Sequence, residues 1–93
     1  MNKTIRVIIS GRVQGVSYRA WTVATASDFD LKGWVRNRSE GTVEAVFSGE
    51  ESQVAAMLDA CKEGPPSARI NKIETFSWDE AVDDGPFRAK PTV

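Results

Sequence analysis

The chain has 93 residues, 41% of them apolar and 27% charged, with 12 Lys and Arg against 13 Asp and Glu for a net charge of −1. A single domain over residues 1–93 is the expectation at this size, and the near-neutral balance removes the basic footprint that nucleic acid or an anionic membrane would require. There is no histidine and one cysteine, Cys61, which excludes Ser-His-Asp, Cys-His and His-metal chemistry, an internal disulfide and a Cys-rich zinc site.

Met1 to Arg6 lacks the apolar core of a signal peptide, and no run approaches membrane-spanning length. A cytoplasmic location is expected. Thr4 to Val13 alternates as a strand: Ile5, Val7 and Ile9 share a face with Gly11 and Val13, while Arg6, Ile8 and Ser10 take the other. An apolar Ile8 on the second face predicts a central strand covered on both sides.

The stretch Gly11-Arg12-Val13-Gln14-Gly15-Val16-Ser17-Tyr18-Arg19 follows. Its two glycines let the backbone curl and approach a ligand closely. The loop opens a helix, whose unpaired N–H groups and positive dipole end favour an anion. Arg19 adds a planar fork of donors suited to phosphate oxygens. On pattern alone two readings stand: a phosphate or carboxylate site, or a tight connection with a solvated arginine. The Gly-Lys-Ser/Thr of a nucleotide loop and the third glycine of a dinucleotide fingerprint are both missing.

Tyr18, Thr22, Thr25/Ala26 and Phe29 mark one face of a helix ending near Phe29, with Asp30 at the left-handed position that favours Gly or Asn. Leu31–Arg38 and Gly41–Ser48 read as two strands joined by a hairpin at Ser39-Glu40-Gly41. Val35 and Asn37 share a face, opposite Trp34, Arg36 and Arg38. Ser48-Gly49-Glu50-Glu51 has the spacing of a capping box, ahead of a second helix with Val54, Met57, Leu58 and Cys61 on its apolar face. Gly64-Pro65-Pro66 stops that helix.

Ala68 to Trp78 is a fourth strand. Ile70 and Ile73 differ in parity, so either a bulge lies between them or the strand starts after Ile70. Asp79 to Pro86 is an acidic turn region, and Phe87 to Ala89 has the length of a short fifth strand. The order β-α-β-β-α-β predicts an α+β, ferredoxin-like split βαβ sandwich, an antiparallel sheet with both helices on one face. Asn37, on the helix-facing side of the second strand, then looks toward Arg19 across the mouth of the first helix.

The pieces Gly11-Arg12-Val13-Gln14-Gly15-Val16 with Tyr18-Arg19, then Leu31-Lys32-Gly33-Trp34-Val35-Arg36-Asn37, then Gly64-Pro65-Pro66 closely resemble the acylphosphatase family in order and spacing. What the resemblance implies is hydrolysis of the carboxyl–phosphate bond of acyl phosphates to carboxylate and inorganic phosphate, with no metal and no cofactor. It implies that Arg19 and the backbone N–H groups of the loop (Val13, Gln14, Gly15, Val16, Ser17, Tyr18 and Arg19) bind the phosphate, and that Asn37 positions the attacking water. The implied partner is a small-molecule acyl phosphate, with no nucleic acid and no membrane, and a monomer is expected. Three places depart from the family: Ser17-Tyr18, where it often has Gly, Cys or Phe followed by Phe; Asp30, where it usually has Gly; and Phe87-Arg88-Ala89, a poorer last strand than the usual apolar ending. A buried Tyr18 would need a partner for its hydroxyl.

The other candidate residues read blandly. Arg12 flanks the loop, and Arg36 and Arg38 are solvated strand residues with at most a steering role. Trp21, Trp34 and Trp78 pack or lie half-exposed, and Cys61 fills core. Two other functional classes compete. One is a non-catalytic anion- or partner-binding module. The other is a single-stranded RNA binder on the open sheet face, which Trp34 with Arg36 and Arg38 echoes only faintly and the acidic balance disfavours.

Overall fold

In the computed structural model, which describes residues 1–15 and 17–93, the alternating first segment is the strand β1, Asn2–Arg12. It is followed by α1 (Tyr18–Asp28), β2 (Lys32–Asn37), β3 (Val43–Glu50), α2 (Glu51–Glu63), β4 (Arg69–Ser77) and β5 (Arg88–Ala89). The sheet order is β4-β1-β3-β2-β5. β1 therefore lies inside the sheet, as the apolar residues on both of its faces require, with Ile8 buried as well as Val7 and Ile9.

The pairs β1/β3, β1/β4 and β2/β3 are antiparallel, whereas β5 runs parallel to β2, with Trp34 opposite Arg88 and Val35 opposite Ala89. The sheet is thus mixed. The chain leaves β4 at one edge and returns at the other edge, beside β2, after the turn region between Ser77 and Arg88. Ile5, Val7, Ile9, Val35, Val43, Ala45 and Phe47 form one continuous core with Tyr18 and Ala26 of α1 and Val54, Met57 and Cys61 of α2. Phe87, just before β5, is buried and stacks on Phe47 at 5.5 Å between ring centroids, which anchors a strand otherwise only two residues long.

The parity change in β4 is a bulge. Ser10 pairs with Lys72 and Gly11 with Ile70, so Asn71 is the extra residue. Asp30 takes the left-handed conformation expected of it, at φ 59.

The capping box at Ser48 does not form. β3 continues through Ser48 to Glu50, and the Ser48 hydroxyl bonds that of Thr4 across the β1/β3 pair at 2.8 Å. α2 begins at Glu51 with no side-chain cap, and the Glu51 N–H donates to the Met1 carbonyl at 2.8 Å. Strand pairing with β1 displaces a local bond that the sequence alone would favour.

Candidate active site

The loop after β1 turns through Gly15 at φ 73 and Ser17 at φ 64, both in the left-handed region. That turn delivers the chain into α1, where Trp21 N–H closes the first bond onto the Ser17 carbonyl at 3.0 Å. The N–H groups of Tyr18, Arg19 and Ala20 precede that bond and have no partner within the helix. The Ser17 side chain does not cap them, and α1 has no acidic residue in its first turn. The positive end of the helix dipole is therefore not neutralised from within.

A cavity of about 370 Å³ opens at this point. Val13, Gly15, Ser17, Tyr18, Arg19 and Ala20 line it from the loop and α1, Asn37 from the end of β2, and Ala89 from β5. Side-chain parity along β2 brings Asn37 here: it follows buried Val35 onto the helix-facing side. The Asn37 Oδ1 is buried, with no hydrogen-bond partner among the described residues. The Arg19 guanidinium is in no ion pair among the described residues. An unopposed cation, unsatisfied amides and a bare amide oxygen thus share one cavity.

Gln14 is not part of the cavity wall. Its side-chain Nε2 donates to the carbonyls of Arg38 at 2.8 Å and Thr42 at 2.9 Å, tying the loop to the β2–β3 turn just past Asn37. Val16, the other expected loop contact, lies outside the described residues. Arg12 is exposed and does not line the cavity. Sequence reasoning missed Ala20 and Ala89. Ala89 could not be found because nothing in Phe87-Arg88-Ala89 says which edge of the sheet the strand joins.

Beneath the loop, the buried Tyr18 hydroxyl donates to the Cys61 carbonyl at 3.0 Å, which supplies the partner the hydroxyl needs. Burial pushes the phenol pKa upward, so it stays protonated and donates. Burial likewise pushes the Cys61 thiol up to about 12 despite the neighbouring Tyr18 hydroxyl, which suits a core residue and not a nucleophile.

On the opposite face of the sheet, Arg36 is not a free surface cation. It donates to Glu44 at 2.7 Å, and Arg6 donates to the other oxygen at 2.6 Å. Burial opposes ionisation of Glu44, but the two arginine hydrogen bonds outweigh it and hold the carboxyl below its usual range. Arg36 also covers the Trp34 ring at 4.6 Å, with Lys90 at 4.8 Å and Trp78 edge-on at 6.0 Å. Trp34 is thereby half-buried among these neighbours and is not the bare stacking platform that an RNA-binding face needs.

A family model for acylphosphatases matches residues 5–89. An acylphosphatase of Rhodospirillum rubrum is 54% identical over 91 residues, covering 98% of this chain and 99% of that protein. The structure of an acylphosphatase from Coxiella burnetii superposes with a TM-score of 0.86 at 34% identity, over 96% of this chain and 93% of that one. That of an acylphosphatase from Bacillus subtilis gives 0.83 at 32% identity, over 100% and 99%.

Proposed function

The chain belongs to the acylphosphatase family and hydrolyses acyl phosphates, and we propose that Arg19 and the loop amides hold the phosphoryl group while Asn37 orients the attacking water. The observation that carries this assignment is the shared cavity at the start of α1, which Arg19 and Asn37 both line, with Arg19 in no ion pair and the Asn37 Oδ1 without a hydrogen bond among the described residues. The cavity's donors suit the phosphoryl oxygens, and the bare Asn37 Oδ1 suits a water proton.

The chemistry asks little else of the protein. The leaving group is a carboxylate whose conjugate acid has a pKa of about 4, so it departs without a general acid. Phosphoryl transfer through a loose transition state needs charge stabilisation and alignment more than proton transfer. The water oxygen attacks phosphorus, the bond to the carboxylate oxygen breaks, and that oxygen keeps the electron pair. No carboxylate or thiol lines the cavity among the described residues, and the phenol of Tyr18 is engaged with Cys61. We therefore assign the water's proton to a phosphoryl oxygen of the substrate. On this reading the reaction uses neither metal nor cofactor, and the protein works as a cytoplasmic monomer without nucleic acid or membrane.

The test is phosphate release from acetyl phosphate in the presence of a chelator. Wild type should turn over at full rate. Arg19→Ala and Asn37→Ala should each lose about 100-fold or more in kcat/KM, the scale of removing one transition-state donor or positioning group, with unfolding curves close to wild type. Activity of Asn37→Ala within a few-fold of wild type would overturn its role. A pH–rate profile that loses a limb when a side chain is replaced would overturn substrate-assisted proton transfer.

A further inference from the structure

We propose that the last residues of the chain, Lys90 to Val93, form a strap that fixes the orientation of Asn37, with Val93 as the positioning residue. The proposal rests on the reading of Asn37 as the water-orienting group.

Asn37 is the final residue of β2, and β5 covers β2 only as far as Ala89. Strand ends with unpaired edges fray. On the β3 side this end is secured: Arg38 N–H donates to the Thr42 carbonyl at 2.8 Å, and Gln14 donates to the Arg38 carbonyl. Among the described residues the other side is secured by the strap. Lys90 N–H donates to the Val35 carbonyl at 2.8 Å, Val93 N–H donates to the Asn37 carbonyl at 3.1 Å, and Ser39 N–H donates to the Val93 carbonyl at 2.7 Å. The Lys90 ammonium, 4.8 Å from the centre of the Trp34 ring, pins the start of the strap to the opposite sheet face.

The strap is not a regular extension of β5. Its bonding donors advance from Lys90 to Val93 while the acceptors on β2 advance from Val35 to Asn37, so the strap carries one more residue than β2 across that interval. Pro91 lies in it and has no N–H to give. The two bonds made by Val93 therefore grip the peptide groups on either side of Arg38, the first of which carries the Asn37 carbonyl, and so hold the backbone that sets the direction of the Asn37 Cα–Cβ bond. The Asn37 Oδ1 has no hydrogen bond of its own among the described residues to do so.

The test is Val93→Pro, which removes the N–H that Asn37 receives, beside a chain ending at Thr92, which removes both bonds. For each we would measure kcat with acetyl phosphate, competitive inhibition by inorganic phosphate, and the unfolding midpoint. Thr92→Ala is the control, because Thr92 is exposed and its side chain makes no hydrogen bond among the described residues. The expected result is a kcat lowered about tenfold in both variants, the scale of a small misplacement of a positioning group. Phosphate inhibition should stay within about twofold, because Arg19 and the loop amides are untouched. In an Asn37→Ala background, Val93→Pro should lower the residual rate no further. Unchanged kcat in both variants, or loss of kcat and phosphate affinity together, would overturn the strap. Wild-type kcat in Asn37→Ala would instead overturn the assignment beneath it, so the two failures are told apart.

Discussion

Replacing Tyr18 by phenylalanine should destabilise the protein through a carbonyl forty-three residues away in sequence. α2 ends with its chain leaving the helical path at Gly64, φ 64 and ψ −169, and the next residue is Pro65. In a continuing helix the Cys61 carbonyl would receive the N–H of residue 65, but proline has none. The Tyr18 hydroxyl supplies that missing donor at 3.0 Å, in a site where Tyr18 is 1% and Cys61 0% exposed. Tyr18→Phe leaves the ring in place against Trp21, 5.3 Å away, and removes only the donor. A buried acceptor without a partner costs ~1–3 kcal/mol. At ~4–8 °C per kcal/mol for a domain of this size, the melting temperature should fall by roughly 5–20 °C. Equilibrium urea unfolding followed by circular dichroism, together with a thermal melt, measures it. A change within about 0.5 kcal/mol, the level of an unremarkable surface substitution, would refute the argument that this hydroxyl serves the helix end.

Three further substitutions probe the elements that deliver the site. Glu44→Gln should cost roughly 2–3 kcal/mol at neutral pH by weakening two charge-assisted bonds. The wild-type Glu44 pKa is lower folded than unfolded, so its contribution is full above the unfolded value of about 4.3 and is lost as pH falls through the folded one. The gap between variant and wild type should therefore close on acidification, and a constant gap from neutral to acid would contradict it. Gly33→Ala should cost ~3 kcal/mol or more. Gly33 sits at φ 130, and a Cβ there would meet the Val46 carbonyl of the paired strand. Unfolding within about 1 kcal/mol of wild type would mean that the β2/β3 pair yields easily. Gln14→Ala, which frees the loop from the Arg38 and Thr42 carbonyls, should lower kcat about tenfold through misalignment. An unaltered kcat in a steady-state assay would show that the tie is dispensable.

Much of this was legible in the chain because the decisive signals were local. Strand parity placed Val35 and Asn37 on the helix-facing side, and the apolar Ile8 placed β1 inside the sheet. The mismatch between Ile70 and Ile73 announced the bulge at Asn71. What was illegible depends on contacts between residues far apart in sequence. Ser48 satisfies the local rule for a cap, but its bond to Thr4 is decided by the β1/β3 register. Arg36 looks like a solvated strand residue until Glu44 and Arg6 are brought beside it. Ala89 becomes a cavity residue only because β5 joins the sheet next to β2.

The same division explains how a chain without histidine can host this reaction. When the leaving group departs unaided, catalysis reduces to holding charge and aiming a water, and both depend on backbone placement more than on the pKa of any side chain. The groups proposed to do this occupy the ends of elements: the first turn of α1 for Arg19 and the last residue of β2 for Asn37. Element ends are where a fold is least self-supporting. Each end is accordingly held from outside its own element: the Tyr18 hydroxyl joins the start of α1 to the end of α2, and Gln14 joins the loop to the turn beyond β2. Neither bond lies within the cavity, yet each connects a residue beside the chemistry to a backbone carbonyl elsewhere. Substitutions at such ties should change rate and stability together, whereas Arg19→Ala should change rate almost alone, and that contrast separates the groups that act on the substrate from those that hold them in place.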